Sequence, residues 1–164
     1  MRPLVAAVVL AAGLVGVACA AESPSVAVTL RDSGGELLAR VPLPAGSFAV
    51  SYRNSLYGTV AEERYRVAAD GAFGLVELAA DQLAVLEEYY AVPGPVRAAA
   101  PDDRREWVAV PAGDPVFADL AIAATALGER TVLVPGHAPV PLAPLVADRG
   151  RSDPTVVLDV EEGR

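Results

Sequence analysis

Phe48-Ala49-Val50-Ser51-Tyr52-Arg53-Asn54-Ser55-Leu56-Tyr57-Gly58-Thr59-Val60-Ala61-Glu62-Glu63-Arg64-Tyr65-Arg66-Val67 is the stretch on which the fold turns. Phe48, Val50 and Tyr52 recur at every second position, the spacing of a strand with one apolar face. The polar connection at 54–58 ends in a glycine, and a second alternating run follows over 59–67, so the stretch predicts a β-hairpin. Pairing the inward sides places Tyr52 opposite Ala61, with Glu63, Tyr65 and Val67 on the same apolar side. Glu63 is therefore expected to point inward and to find a specific donor such as a tyrosine or an arginine, because an unpaired carboxylate in a core is expensive. Glu62, Arg64 and Arg66 are expected to face solvent. In that register Glu63 lies about 13 Å along the strand from the level of Asn54, too far for direct contact.

Working outward, Val26, Val28 and Leu30 alternate before the turn cluster Asp32-Ser33-Gly34-Gly35, and alternation resumes over 36–41, which predicts another hairpin. Further strands are expected at 73–80, 105–110, 131–134, 139–146 and 155–161, with residues 93–103 as a long surface loop. Asp114-Pro115 and the apolar run to Gly128 fit either a helix, from an N-cap, a first-turn proline and a glycine stop, or a strand that closes a hairpin with 131–134 around Gly128-Glu129. The strand is preferred there. Residues 81–90 fit a short helix capped by Asp81. Short strands punctuated by glycine, proline and aspartate predict an all-β or mainly β fold, a small β-sandwich or partly closed barrel of antiparallel strands with room for one short helix.

At 164 residues the chain suits a leader and one domain. Arg2 followed by an uncharged apolar run to Val17 reads as a signal peptide over 1–20, leaving a single β-rich domain at 21–164 outside the cytoplasm. Two processing rules compete at its end. Ala18-Cys19-Ala20 offers small residues for ordinary cleavage, and Gly16-Val17-Ala18-Cys19 resembles a lipobox with Gly16 in place of a large aliphatic residue, so Cys19 is a lipidation candidate and a route to membrane contact. It is the sole cysteine, and no disulfide can form within the chain.

The basic residues are all arginine, and the formal net charge is -8 with no basic run, a composition that argues against a nucleic-acid surface. Arg104-Arg105, flanked by Asp102-Asp103 and Glu106, is expected to be a solvated mixed-charge loop. Without lysine there is no Schiff-base site and no phosphate-cradling lysine. One histidine and one leader cysteine do not supply the ligand set of an ordinary zinc site, no calcium-loop spacing occurs, and neither a metal nor a cofactor is expected. His137 lies in the turn Pro135-Gly136-His137-Ala138-Pro139 and no serine occupies a G-x-S-x-G elbow, so no catalytic residue is assigned and His137 is expected to be dispensable for folding. Glu62-Glu63 and Glu87-Glu88 are adjacent pairs; neighbours on a strand point to opposite faces and cannot flank one bond.

Within 48–67, Tyr52, Ser55, Thr59, Glu63 and Tyr65 fall in register with the hallmark of the bacterial domain-of-unknown-function 1850 family, which the chain resembles over most of its length past the leader. Asn54 stands where that family usually has histidine, and residues 83–90 replace a segment rich in glycine. The resemblance implies an extracytoplasmic accessory role beside TRAP-type transporters of the TAXI class, whose membrane subunits would be its partners. On this reading the chain is an accessory or binding module of the periplasm or outer membrane face, with Glu63, Tyr52, Asn54, Ser55 and Tyr65 as candidate binding residues. The alternatives are a small hydrolase built around Asn54, Ser55 and Glu63, and a structural envelope domain.

Overall fold

The computed structural model describes residues 26–147 and 154–162; the leader, including Cys19, lies outside the described residues. The chain enters as β1 (Val26–Asp32) and returns as β2 (Leu37–Pro42), reversed by Asp32, whose Oδ1 accepts from the amides of Gly34 (2.8 Å) and Glu36 (3.0 Å). β3 (Ser47–Arg53) and β4 (Val60–Val67) form the central hairpin, and β5 (Phe73–Ala80) continues the meander. The register expected from the alternation is observed, with Tyr52 opposite Ala61, Val50 opposite Glu63 and Phe48 opposite Tyr65.

Two antiparallel sheets result, and they do not close into a barrel. The smaller has the order β2-β1-β12-β9, where β9 is Asp119–Ala123 and β12 is Thr155–Glu162. The larger runs β11-β10-β3-β4-β5-β7-β6, with β6 (Arg97–Ala98), β7 (Trp107–Ala109), β10 (Thr131–Leu133) and β11 (Val140–Pro141), while β8 (Val116–Phe117) pairs with β5. The main core lies between the sheets. Val28, Leu30, Ile122, Val156 and Leu158 of the small sheet meet Phe48, Val50, Tyr65, Phe73 and Val132 of the large one. Phe48 stacks on Tyr65 at 5.0 Å between ring centroids, and Phe73 meets both rings edge-on. Such offset and edge-on pairs stabilise beyond their area burial.

The small sheet covers only part of the inner face of the large one. Over the rest lies a second apolar cluster, in which Tyr52, Ala61, Leu78, Ala80 and Ala109 are capped by Val85 and Leu86. Those two residues belong to a π-helical turn, Val85–Tyr89, within the segment expected to be a short helix. The amide of Tyr90 reaches back to the Val85 carbonyl (3.1 Å), and Ala91, at φ 48, reverses the chain behind it. A bulge between β4 and β5 also matters: Arg64 opposes Glu77 and Tyr65 opposes Leu75, so Val76 is the extra residue. The bulge keeps Leu75 and Leu78 inside although they are three apart, and turns Val76 and Glu77 out together.

Four expectations about the strands and their faces need correction. The strand preferred over helix after Asp114 is observed as β8 and β9, but β9 does not pair with β10 around Gly128-Glu129; β9 lies against β12 in the small sheet and β10 against β3 in the large one. The local alternation was sound, and the choice of partner was made by the inter-sheet core. Residues 139–146 are not one strand: after Val140–Pro141 the chain winds into α1 (Leu142–Val146), which buries Leu142. The surface loop at 93–103 carries the edge strand β6, with Arg97 paired to Val108. Finally, Glu62 and Arg64 do not face solvent. They lie on the face opposite Glu63, as parity requires, but residues 102–105 cover that face, and Glu62 is 0% exposed.

Candidate functional site

Glu63 sits on the inner face of the large sheet where the two apolar clusters meet, Tyr65 belonging to one and Tyr52 to the other. Its carboxylate is partly buried and both oxygens are engaged. Tyr65, two residues along the same strand and so on the same face, donates to Oε2 at 2.8 Å. Tyr90, delivered by the π-helical turn, donates to Oε1 at 2.7 Å. The Tyr52 and Tyr90 hydroxyls lie 2.6 Å apart, and because Tyr90 gives its only proton to Glu63, Tyr52 must be the donor of that bond. The result is a directed relay, Tyr52 to Tyr90 to Glu63, with the guanidinium of Arg130 over the Tyr52 ring at 5.2 Å from its centroid.

The electrostatics follow from burial. Burial pushes the Tyr52 hydroxyl up to about 12, reinforced by the negative charge of Glu63. Tyr65 and Tyr90 are raised further, first by burial and then by the same carboxylate. Tyr65 and Tyr90 are therefore fixed donors to one anion, with Tyr52 behind Tyr90, and charge-assisted bonds such as those two are the strong ones.

The remaining candidates lie at the turn of the central hairpin. Asn54 is buried at the end of β3 and its Oδ1 accepts from the amides of Leu56 (3.0 Å) and Tyr57 (3.1 Å), closing the turn of the central hairpin. Asn54 and Thr59 are joined by a backbone bond at 2.8 Å, four positions from Glu63, so the spacing expected between Asn54 and Glu63 is present. Ser55 is exposed on that turn. The structure thus brings Glu63, Tyr52 and Tyr65 together, sets the Asn54 side chain against the Tyr52 hydroxyl at the edge of the cluster, and leaves Ser55 outside it. His137 is exposed in its turn, whose amide bonds to the Val134 carbonyl at 3.0 Å.

No protein-family model, no curated protein and no solved structure matches the chain significantly.

Sequence reasoning missed Tyr90 and Arg130. Tyr90 is 27 residues from Glu63, and its only signal was a Tyr-Tyr pair at the end of a segment with helix grammar. It also misjudged Arg104 and Arg105 as a solvated loop. Arg104 chelates Glu62 through Nε at 3.1 Å and Nη2 at 2.8 Å, while Arg105, only 18% exposed, binds Asp81 at 2.8 Å and approaches Glu62 at 3.2 Å. Arg64 forks onto Asp103 at 2.6 and 2.8 Å and holds Glu77 at 2.8 Å. That fork, with the Arg105 amide, draws the Asp103 carboxyl down to about 2 against its own desolvation. A loop of alternating charge looks solvated when its partners are 39 and 42 residues away.

Proposed function

We propose that this chain is a non-enzymatic accessory or binding module that works outside the cytoplasm beside a TRAP-type solute transporter, carried there by its leader and held at the membrane if Cys19 is lipidated. The observation that carries the non-enzymatic part is how the polar residues of the central hairpin are used. Glu63 has both oxygens committed to tyrosine donors, Asn54 has its side-chain oxygen committed to turn amides, and Ser55 is exposed on that turn. A hydrolase needs a nucleophile, a base and an orienting group in mutual reach. Here Glu63 and Asn54 are structurally engaged and Ser55 is exposed, which favours a module that recognises a partner over one that turns over a substrate. The transporter part rests on the leader and on the resemblance carried by Tyr52, Ser55, Thr59, Glu63 and Tyr65.

The test is isolation of the chain from its own host in mild detergent, with mass spectrometry of what accompanies it and of its N-terminus. TRAP-type membrane subunits in the eluate and a lipid increment on Cys19, or a chain starting just after Ala20, are the expected results. A chain that retains Met1, or one that elutes alone and hydrolyses esters or glycosides with loss of turnover in Glu63→Gln, overturns the reading.

A further inference from the structure

The outer face of the large sheet holds an open trench of about 570 Å³, on the opposite side of β4 from Glu63. Its cause lies in the side-chain sizes across three neighbouring strands. The outward positions of β3 are small, Ser47 and Ala49, while their partners on β4 are Arg66 and Arg64. On the other side Leu133 opposes Ala49 and is the last residue of β10, after which the chain lifts off in the turn that carries His137. A low floor between two high walls follows. The volume falls within the range of small-molecule sites.

The walls differ in chemistry. On the turn side stand Pro135, Gly136, His137 and Pro139; on the strand side stand Arg64, Arg66 and Arg104 with Glu77 as the single carboxylate. Glu77 is neutralised by Arg64, which Asp103 also holds. Arg104 shares Glu62 with Arg105 and Arg64 while its side chain remains 56% exposed. Arg66 is exposed and makes no ion pair with any other described residue, unlike Arg64, Arg104 and Arg105 on the same face. In a chain with a formal charge of -8, the trench is thus a local concentration of guanidinium groups, one of them with its whole fork unused. Guanidinium forks match carboxylate and phosphate oxygens in a bidentate manner.

We propose that this trench binds a small molecule bearing a carboxylate or phosphate group, with Arg66 as the primary anion contact, Arg104 as the second, and the His137 turn closing the far side. The inference does not depend on any association with a transporter, and the two fail separately. His137 is the only histidine in the chain, so its imidazole gives a single ring signal that reports on the trench. The full chain after leader removal is titrated with inorganic phosphate and, separately, with succinate, at constant ionic strength set by sodium chloride, following the His137 ring by NMR and the heat by calorimetry. A saturable shift with a dissociation constant of about 1 mM or tighter is expected from at least one of the two. Saturation by succinate alone assigns a carboxylate ligand, and saturation by phosphate alone assigns a phosphorylated one. Arg66→Gln should weaken binding about tenfold and Arg66→Glu should abolish it, with melting temperatures unchanged because the side chain is exposed, while Arg97→Gln on the edge strand β6 leaves affinity as it was. Shifts no larger than those produced by chloride, or saturable binding that Arg66→Gln and Arg66→Glu leave intact, overturn the proposal.

Discussion

Replacing Glu62 with glutamine keeps the shape of the side chain and removes a charge from a position with no solvent exposure. Removing one partner of a buried ion pair typically costs about 3–5 kcal/mol, because the opposite charge is left stranded. Here the stranding is partial. Arg64 keeps Asp103 and Glu77, Arg105 keeps Asp81, and Arg104, 56% exposed, can regain water. The expected loss is therefore about 2 kcal/mol, below the usual range for buried-pair removal because each arginine keeps another partner or water. In a chain of this size that corresponds to a fall in Tm of roughly 6–8 °C. Urea unfolding measures the loss directly, and the midpoint should fall with the slope unchanged. Arg104→Gln should cost about 1 kcal/mol, and the double variant should show a coupling of similar size because the two groups are in contact. A loss from Glu62→Gln below about 0.5 kcal/mol, or one abolished by about 1 M salt, would refute the reasoning, since that is the behaviour of a surface pair.

Tyr90→Phe removes one donor from Glu63 and the acceptor for Tyr52, and should cost about 1.5–3 kcal/mol, with hydrogen exchange accelerating first across the π-helical turn. Asp103, drawn down to about 2 by the Arg64 fork, contributes stability that is fully present above the ordinary carboxyl value of 3.8 and is lost as the pH falls through about 2. Acid titration of Asp103→Asn against the parent chain should show the variant less stable by about 1 kcal/mol at neutral pH, after allowance for surface screening, and the gap closing toward pH 2. Gly71 has φ +86 and a Cβ there would meet the Val160 carbonyl oxygen at 3.3 Å, whereas Gly35, at φ +85, has open space. Gly71→Ala should therefore destabilise by about 1–2 kcal/mol and by more than Gly35→Ala, as read from thermal melts.

Much of the large sheet was legible because a strand announces itself by a period of two, and that period is a property of consecutive residues. Phe48, Val50 and Tyr52 indicated not only a strand but which side of it is buried, and matching them to the second run gave the pairing of Tyr52 with Ala61 and the inward direction of Glu63. The turn residues were equally direct, since Asp32 and Asn54 close their loops through their own side chains within four positions. The same local grammar misled at 139–146, where burial of Leu142 in the core outweighed the alternation and produced a helical turn.

Sequence alone determined the strands of the two hairpins, the inward side of each and the need of Glu63 for a donor, because those follow from alternation and from the cost of an inward carboxylate. Only the tertiary structure decided what lies over each face. It placed β12 between β1 and β9, set the loop at 102–105 on Glu62, and brought Tyr90 to Glu63 from across the second cluster. The physical reason is range: side-chain parity is fixed by the residue next door, whereas the partner that satisfies a buried charge is chosen by the packing of segments tens of residues apart, and no period in the chain records it.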